Sequence, residues 1–273
     1  MAYVGAGSLL SQLPVLSGVH GGSQDMASEA ALPFSQAPSC PADGPTSCHN
    51  STTSDDTCCF IYPGGQLLQT QFWDTSPAIG PSDSWTLHGL WPDLCDGTYD
   101  QFCNEAPKYN NITQILQAAD QIDLLNYMKS YWLPNSGTSE HFWEHEWNKH
   151  GTCINTLSPG CYGNAYTAGM EVVDFFTRTV ELFKTLDSYT ALANAGITPS
   201  TSVTYTQAQI QQALTAVTGS SVVLGCSRGQ LNQAWYSYNV KGSLQTGTFV
   251  PTDPAGSGKG TCPTTGIKYL PKS

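Results

Sequence analysis

The chain has 273 residues, 40% of them hydrophobic and only 11% charged, with a formal charge of −11. That length admits one large domain or two small ones at about 150 residues each, and no run of about 18 apolar residues occurs that could span a membrane as a helix. Charge this sparse, against roughly 25% in average soluble proteins, together with ten cysteines, argues against a cytosolic protein and for an oxidising compartment with a disulfide framework.

Residues 1–39 are rich in Gly, Ser and Ala and hold no cysteine, the composition of a leader or disordered N-terminal segment. Residues 7–19 are mildly apolar, but Ser11, Gln12 and Pro14 interrupt the run and no basic residue precedes it, so it is an atypical secretory signal. Two sequons, Asn50-Ser51-Thr52 and Asn111-Ile112-Thr113, make Asn50 and Asn111 candidate glycan acceptors. From Cys40 onward no linker, repeat or composition break divides the chain, so residues 40–273 read as one domain. Alternating or β-prone residues bounded by Gly, Pro and Asp predict strands over 65–73, 84–91, 222–226, 234–240 and 247–250. Helical spacing with Pro or Gly near several ends predicts helices over 121–132, 139–150, 168–186 and 207–217. Two early strands, a helical middle and late strands predict an α+β fold with a central, mostly antiparallel sheet.

The charge is unevenly placed. The first Lys or Arg is Lys108, eleven acids from Asp25 to Glu105 precede it, and the rest of the chain holds ten acids (21 − 11 = 10) against ten bases. Duplex nucleic-acid binders carry a basic stripe that releases counterions, and no such stripe is present. A protein working in acid escapes that objection, because protonating six His moves the formal charge to −11 + 6 = −5, and carboxylates near their usual pKa of about 4 move it further.

Four of the six histidines lie in two aromatic stretches: Trp85-Thr86-Leu87-His88-Gly89-Leu90-Trp91-Pro92-Asp93, and His141-Phe142-Trp143-Glu144-His145-Glu146-Trp147-Asn148-Lys149-His150-Gly151-Thr152-Cys153. On a helix ending at Gly151, a step of about 100° per residue gathers His145, Glu146, Lys149 and His150 into one sector of roughly 140°. His145 then faces Lys149, and Glu146 faces His150, each at i, i+4. Two imidazoles, an ammonium and a carboxylate on one face can move protons and neutralise an anion; the plainer reading is a solvated face with Phe142, Trp143 and Trp147 as packing. His141-Phe142-Trp143-Glu144-His145 also matches the H-x-x-E-H zinc pattern. Against zinc, Lys149 stands where H-E-x-x-H needs its second histidine and would repel an ion held at His145, so the expectation is no metal and no cofactor. His20 and His49 have no partner in the pattern and carry no role.

The two stretches strongly resemble the active-site segments of the ribonuclease T2 family, which run His-Gly-Leu-Trp-Pro and Phe-Trp-x-His-Glu-Trp-x-Lys-His-Gly-Thr-Cys. The resemblance covers roughly residues 40–270 and extends to the cysteine order of the fungal members; His141 is not a position that the family's pattern requires. It implies a ribonuclease T2-like fold and a base-nonspecific, metal-independent endoribonuclease. Chemistry of that kind needs a base to remove the 2′-hydroxyl proton and an acid to protonate the departing 5′-oxygen, and imidazoles of pKa about 6.5 suit both. By motif position His150 is the general base and His88 the general acid, with a 2′,3′-cyclic phosphate later opened to a 3′-phosphate. His145 holds the phosphate, while Glu146 and Lys149 stabilise the pentacoordinate phosphorane.

For the nucleobase, the resemblance points to Trp91, Asp93 and Tyr99 as a stacking and hydrogen-bonding site, where an ionised Asp93 would favour adenine, whose N6 amino group donates, over uracil. The disulfides it implies are Cys40 with Cys59, Cys48 with Cys95, Cys58 with Cys161, Cys103 with Cys153, and Cys226 with Cys262. The expected partner is single-stranded RNA, with no DNA cleavage and no membrane, for a monomer that is secreted or held in a vacuole or other acidic compartment. The competing functions are an extracellular binding or cytotoxic protein on the same fold, and the zinc hydrolase set aside above.

Overall fold

Seven strands and six helices occur among the residues described by the computed structural model, which are 39–49, 57–256 and 260–272. The strands are β1 (Gln66–Phe72), β2 (Thr86–Asp93), β3 (Thr204–Tyr205), β4 (Val222–Ser227), β5 (Gln230–Lys241), β6 (Thr248–Pro251) and β7 (Ile267–Lys268). The helices are α1 (Ile112–Ala118), α2 (Ile122–Tyr131), α3 (Ser139–Lys149), α4 (Met170–Lys184), α5 (Ser188–Asn194) and α6 (Gln207–Thr218). All described residues belong to one compact unit, Phe34–Ser273. The leader expected at 1–39, apart from Ser39, and the sequon at Asn50 lie outside the described residues, as does His20.

The sheet runs β2-β1-β5-β7-β3, with β4 and β6 also paired to β5. Every pairing is antiparallel except the single β5–β7 contact, so the α+β class and the mostly antiparallel sheet hold. Strand β5 begins four residues before the expected 234, because Arg228 and Gly229 both take positive φ (52° and 75°). Such a pair closes a two-residue hairpin whose twist matches its strands, and it sets Ser227 opposite Gln230. The expectation contained neither α1 and α5, seven residues each, nor the two-residue β3 and β7. Elements this short carry almost no periodicity and form only because neighbours hold them.

Paired residues share a sheet face. Leu67, Leu90, Ala234, Tyr236 and Val240 share one core with Val172, Phe175, Phe176 and Val180 of α4. The opposite face carries Thr70 beside Gly89 and Trp235, and Leu68 beside Trp91 and Ser237. Trp73, Trp85, Trp132, Trp143 and Trp147 are all buried. Truncating a core tryptophan to alanine costs about 3–5 kcal/mol, a large part of a typical domain's stability. Five disulfides join Cys40–Cys59, Cys48–Cys95, Cys58–Cys161, Cys103–Cys153 and Cys226–Cys262, the same set that the family resemblance implies. Cys103–Cys153 anchors the 3-10 turn Gly151–Cys153 that follows α3.

Behind α3, α4 places two acids among tyrosine hydroxyls. Glu171 is fully buried, and its Oε1 accepts from Tyr109 (2.8 Å) and Tyr166 (3.0 Å). Asp174 Oδ2 accepts from Tyr162 (2.8 Å). Burial pushes Asp174 up to about 6, outweighing the Tyr162 hydrogen bond and the Arg178 charge that favour its ionised form. The folded state therefore binds this proton more tightly than the unfolded chain, and the stability it contributes grows as pH falls from about 6 toward the ordinary carboxylate value, then is fully present. Asp174→Asn should accordingly flatten the rise in unfolding midpoint between pH 7 and pH 4; thermal melts of both proteins across that range read it, and an unchanged slope would contradict the assignment.

Candidate active site

A one-residue irregularity in β2 begins the site. Thr70 pairs with Gly89, but the next residue, Gln71, pairs with Leu87, so His88 is the extra residue of a β-bulge. Without the bulge, alternation would send His88 to the core face. With it, Leu87 is buried instead and the imidazole turns to the face of Trp91, the re-aiming that bulges perform beside active sites. There the His88 ring stacks on Phe72 (centroids 4.0 Å, 19°) and meets the edge geometry of Phe142 at 4.9 Å.

Helix α3 brings the other groups. Thr138 caps its start by accepting from the His141 N–H, and His150 is its C-cap, so the expected span of 139–150 matches to one residue. Its first-turn Glu140 and last-turn Lys149 complement the helix dipole. The sector inferred from periodicity straddles the protein boundary: Glu146 and His150 are 1% and 6% exposed, whereas His145 is exposed and Lys149 half-buried.

Glu146 lies under β2. Its Oε2 accepts from the Trp91 indole at 2.8 Å, its Oε1 faces His88 Nε2 at 3.6 Å, and a Cβ on Gly89 would collide with it and with the Trp91 indole. Only glycine permits that approach. Burial lifts the Glu146 carboxyl to about 8, overriding the opposing Trp91 hydrogen bond and Lys149 charge. His150 stacks on the other part of this assembly, its ring 5.1 Å from Trp91 and 19° from parallel.

The three imidazoles are all held toward their neutral forms. His88 is lowered to about 3, first by desolvation and then by His145 and Lys149. His150 is lowered to about 2 by desolvation, then by Lys149, His145 and His88. A helix C-terminus ordinarily favours a protonated histidine; at His150 burial wins, with repulsion from Lys149 and from the other two imidazoles whenever they take a proton. His145 is lowered as well, by desolvation and then Lys149 and His141. A nearby anion favours the protonated form of each imidazole and so opposes these shifts.

Trp91 was expected as a base platform, and the structure ties it into the cluster through Glu146 and His150. Tyr99 is the freely exposed ring, 59% accessible. It is bridged to Asp93 across a turn closed by Leu94 N–H to Thr98 O at 2.7 Å. Burial raises Asp93 to about 7, so the expectation of an ionised, accept-only Asp93 holds only above that pH; in acid it carries a proton and also donates. On the far side of His88 a cleft is lined by Phe72, Leu133, Asn135, His141, Phe142 and His145. Phe142, read from sequence as packing, is part of its wall, whereas Trp143 and Trp147 are buried in the core. The residues around His88 that sequence reading did not single out are Phe72, Gly89 and Trp132, whose roles depend on partners far away in the chain.

Of the zinc pattern, His141 is 83% exposed and lies 3.6 Å from Glu144. Ligand atoms of His145, Glu146 and His150 do lie within 4.8 Å of one another, a spacing that a divalent ion could bridge. Lys149 acts electrostatically on all three and Trp91 already occupies one Glu146 oxygen, so an ion would compete with an ammonium for its place. His49 is exposed and its Nδ1 lies 2.7 Å from Thr46 O, outside the cluster. Asn111 is half-buried at the N-cap of α1.

The family model for the ribonuclease T2 family matches residues 64–251, which contain every residue of the cluster. "Ribonuclease T2" of Aspergillus oryzae is 55% identical over 252 residues, covering 92% of this chain and 89% of that protein. "Ribonuclease Trv" of Hypocrea rufa is 57% identical over 233 residues, covering 85% and 98%. Among solved structures, the crystal structure of Actibind, described as a T2 ribonuclease, superposes with a TM-score of 0.82 at 53% identity, covering 86% of this chain and 99% of that one. Human RNase T2 shares 26% identity with a TM-score of 0.53 over 76% of this chain and 98% of that one. With its two histidine segments on β2 and α3 and its five disulfides, the chain belongs to the ribonuclease T2 family.

Proposed function

We propose that this chain is a secreted, metal-independent endoribonuclease that cleaves single-stranded RNA through 2′-hydroxyl attack on the adjacent phosphorus. One observation carries the reading: His88 and His150, from a strand bulge and a helix end, converge on the buried Glu146 carboxyl group. His150 takes the 2′-hydroxyl proton, the 2′-oxygen bonds to phosphorus, and the P–O5′ bond breaks as His88 delivers a proton to the leaving oxygen. Water then opens the 2′,3′-cyclic phosphate with the two roles exchanged, leaving a 3′-phosphate. Lys149 offsets the charge that builds on the phosphorane, the protonated Glu146 can donate to a non-bridging oxygen where an ionised one would repel it, and His145 binds the phosphate from the exposed side.

Because free imidazoles here resist protonation, substrate binding and proton uptake are coupled: the phosphodiester's charge makes each cation in the cluster less costly. Acid favours the working state. The nucleoside bearing the 2′-hydroxyl takes the Tyr99 and Asp93 side, beside His150 and Trp91, and the leaving nucleoside takes the cleft at Phe72 and Phe142. Residues 40–273 form the catalytic domain, acting as a monomer, with Asn50 and Asn111 carrying glycans. DNA is not cut, because it lacks the attacking hydroxyl.

His88→Ala and His150→Ala should each lose at least about 10²–10⁴-fold in kcat, the contribution of a placed proton-transfer group. The parent should cleave RNA equally with and without EDTA. Steady-state kinetics on a dinucleoside phosphate measures both; near-normal turnover in His150→Ala, or loss in EDTA with rescue by zinc, would overturn the mechanism.

Base choice should depend on pH through Asp93. A protonated carboxyl group presents one donor and one acceptor, and each of the four bases offers a complementary pair on its pairing edge; an ionised one only accepts. A contact of this kind is worth about 1–3 kcal/mol, so the spread of kcat/KM over four dinucleoside phosphates should widen on going from pH 5 to pH 8. Asp93→Asn, an amide at both pH values, should lose that widening while cleavage survives. A ranking that responds to pH identically in both proteins would show that Asp93 does not read the base.

A further inference from the structure

His88 stands where the β1–β2 ladder loses its register, and the sheet alone does not hold it. The carbonyl of Gly89, on one side of the bulge, accepts from the Thr70 hydroxyl at 3.1 Å. The carbonyl of His88 itself accepts from the Trp132 indole N–H at 2.6 Å. Trp132 is fully buried at the C-cap of α2, where its N–H bonds Met128 O at 2.8 Å. Its ring packs 5.0 Å from Phe176 on α4, and its own carbonyl accepts from the indole of Trp143 on α3 at 2.9 Å. Trp143 lies one helical turn before Glu146 and Trp147. A chain of hydrogen bonds thus runs from the helix that bears His145, Glu146 and His150, through two tryptophans, to the strand residue that bears the opposing imidazole.

We propose that Trp132 is a positioning residue for RNA cleavage: its indole N–H pins the bulge carbonyl of His88 and so sets the distance between this imidazole and the groups on α3. The physical reason lies in the bulge. Strand β2 is at the sheet edge and a bulge residue is left out of the ladder, so the His88 carbonyl takes its hydrogen bond from the Trp132 indole. Rotation of the peptide after His88 swings the ring off Phe72 and away from its 3.6 Å approach to Glu146. A helix–strand pair otherwise tied only by side chains gains a backbone reference point, held by α2, α3 and α4 together. The proposal rests on the reading of His88 as the proton donor to the leaving oxygen.

Two replacements test it. Trp132→Phe removes the N–H and some volume; the benzothienyl analogue at position 132, introduced by codon suppression, keeps the bicyclic shape with sulfur in place of N–H. Trp73→Phe is the comparator, since Trp73 is equally buried and its indole donates to Leu270 O at 2.7 Å, away from His88. Misplacing a reacting group by about 1 Å can cost on the order of 10²-fold, so both replacements at 132 should lower kcat on a dinucleoside phosphate about tenfold or more while KM stays within about threefold. The limb of the pH profile assigned to His88, which faces Glu146, His145 and Lys149, should move toward the ordinary histidine value of about 6.5 as the ring gains water. Trp73→Phe should shift neither quantity. Turnover within about twofold of the parent in the benzothienyl protein would overturn the proposal, as would an equal loss in Trp73→Phe; if Trp132→Phe does not fold, the analogue decides. The separate result that His88→Ala keeps full turnover would instead overturn the proton-donor reading, whatever the tryptophan variants do.

Discussion

A carboxyl group shut away from water holds this site together. Glu146 is 1% exposed, has one oxygen on the Trp91 indole and turns the other toward His88. Burying an ionised carboxylate without a close cationic partner is expensive, so the group retains its proton instead. That single constraint explains Gly89, because any side chain there would fill the space of the carboxyl. It also explains why β2 and α3 meet where they do. The two motif segments, whose Trp91 and Glu146 are 55 residues apart, are two walls around one buried acid.

The surrounding charges follow from the same economy of solvent. Burial lowers the proton affinity of His88, His145 and His150, and the charge of Lys149 lowers all three further. Without an anion the cluster minimises its charge; with a phosphodiester it can hold more protons. Acidic surroundings supply those protons, and the same surroundings suit the half-buried acids Asp174 and Asp93, whose pKa values are raised. The formal charge of −11 is a sum over the whole chain and does not describe the local charge at the cluster, where Lys149 and three imidazoles stand together.

Much of this was legible in the sequence, and the limits are physical. A 3.6-residue period placed His145, Glu146, Lys149 and His150 on one side of α3, and the strand signals around His88 and Trp91 located β2. The bulge was not legible, because an extra residue in a strand is defined by its partner across the sheet, here Thr70 and Gln71. Tertiary partners likewise turned Phe142 from packing into a cleft wall and drew Trp91 toward Glu146 and His150. Asp93 was read as an ionised hydrogen-bond acceptor for the base; its partial burial, which raises its pKa to about 7, was not legible because it depends on the packing around it. Helices α1 and α5 escaped because two turns of helix depend on packing more than on their own residues.

The central claim is that Glu146 is protonated under the conditions in which the enzyme works. Carbon-13 NMR of the glutamate carboxyl carbons, with the Glu146 signal identified by its loss in Glu146→Gln, follows that group directly through a pH titration. The account predicts a resonance that stays in the protonated position through acid and changes near pH 8. A Glu146 signal that titrates at the ordinary glutamate value of about 4.3 would contradict it.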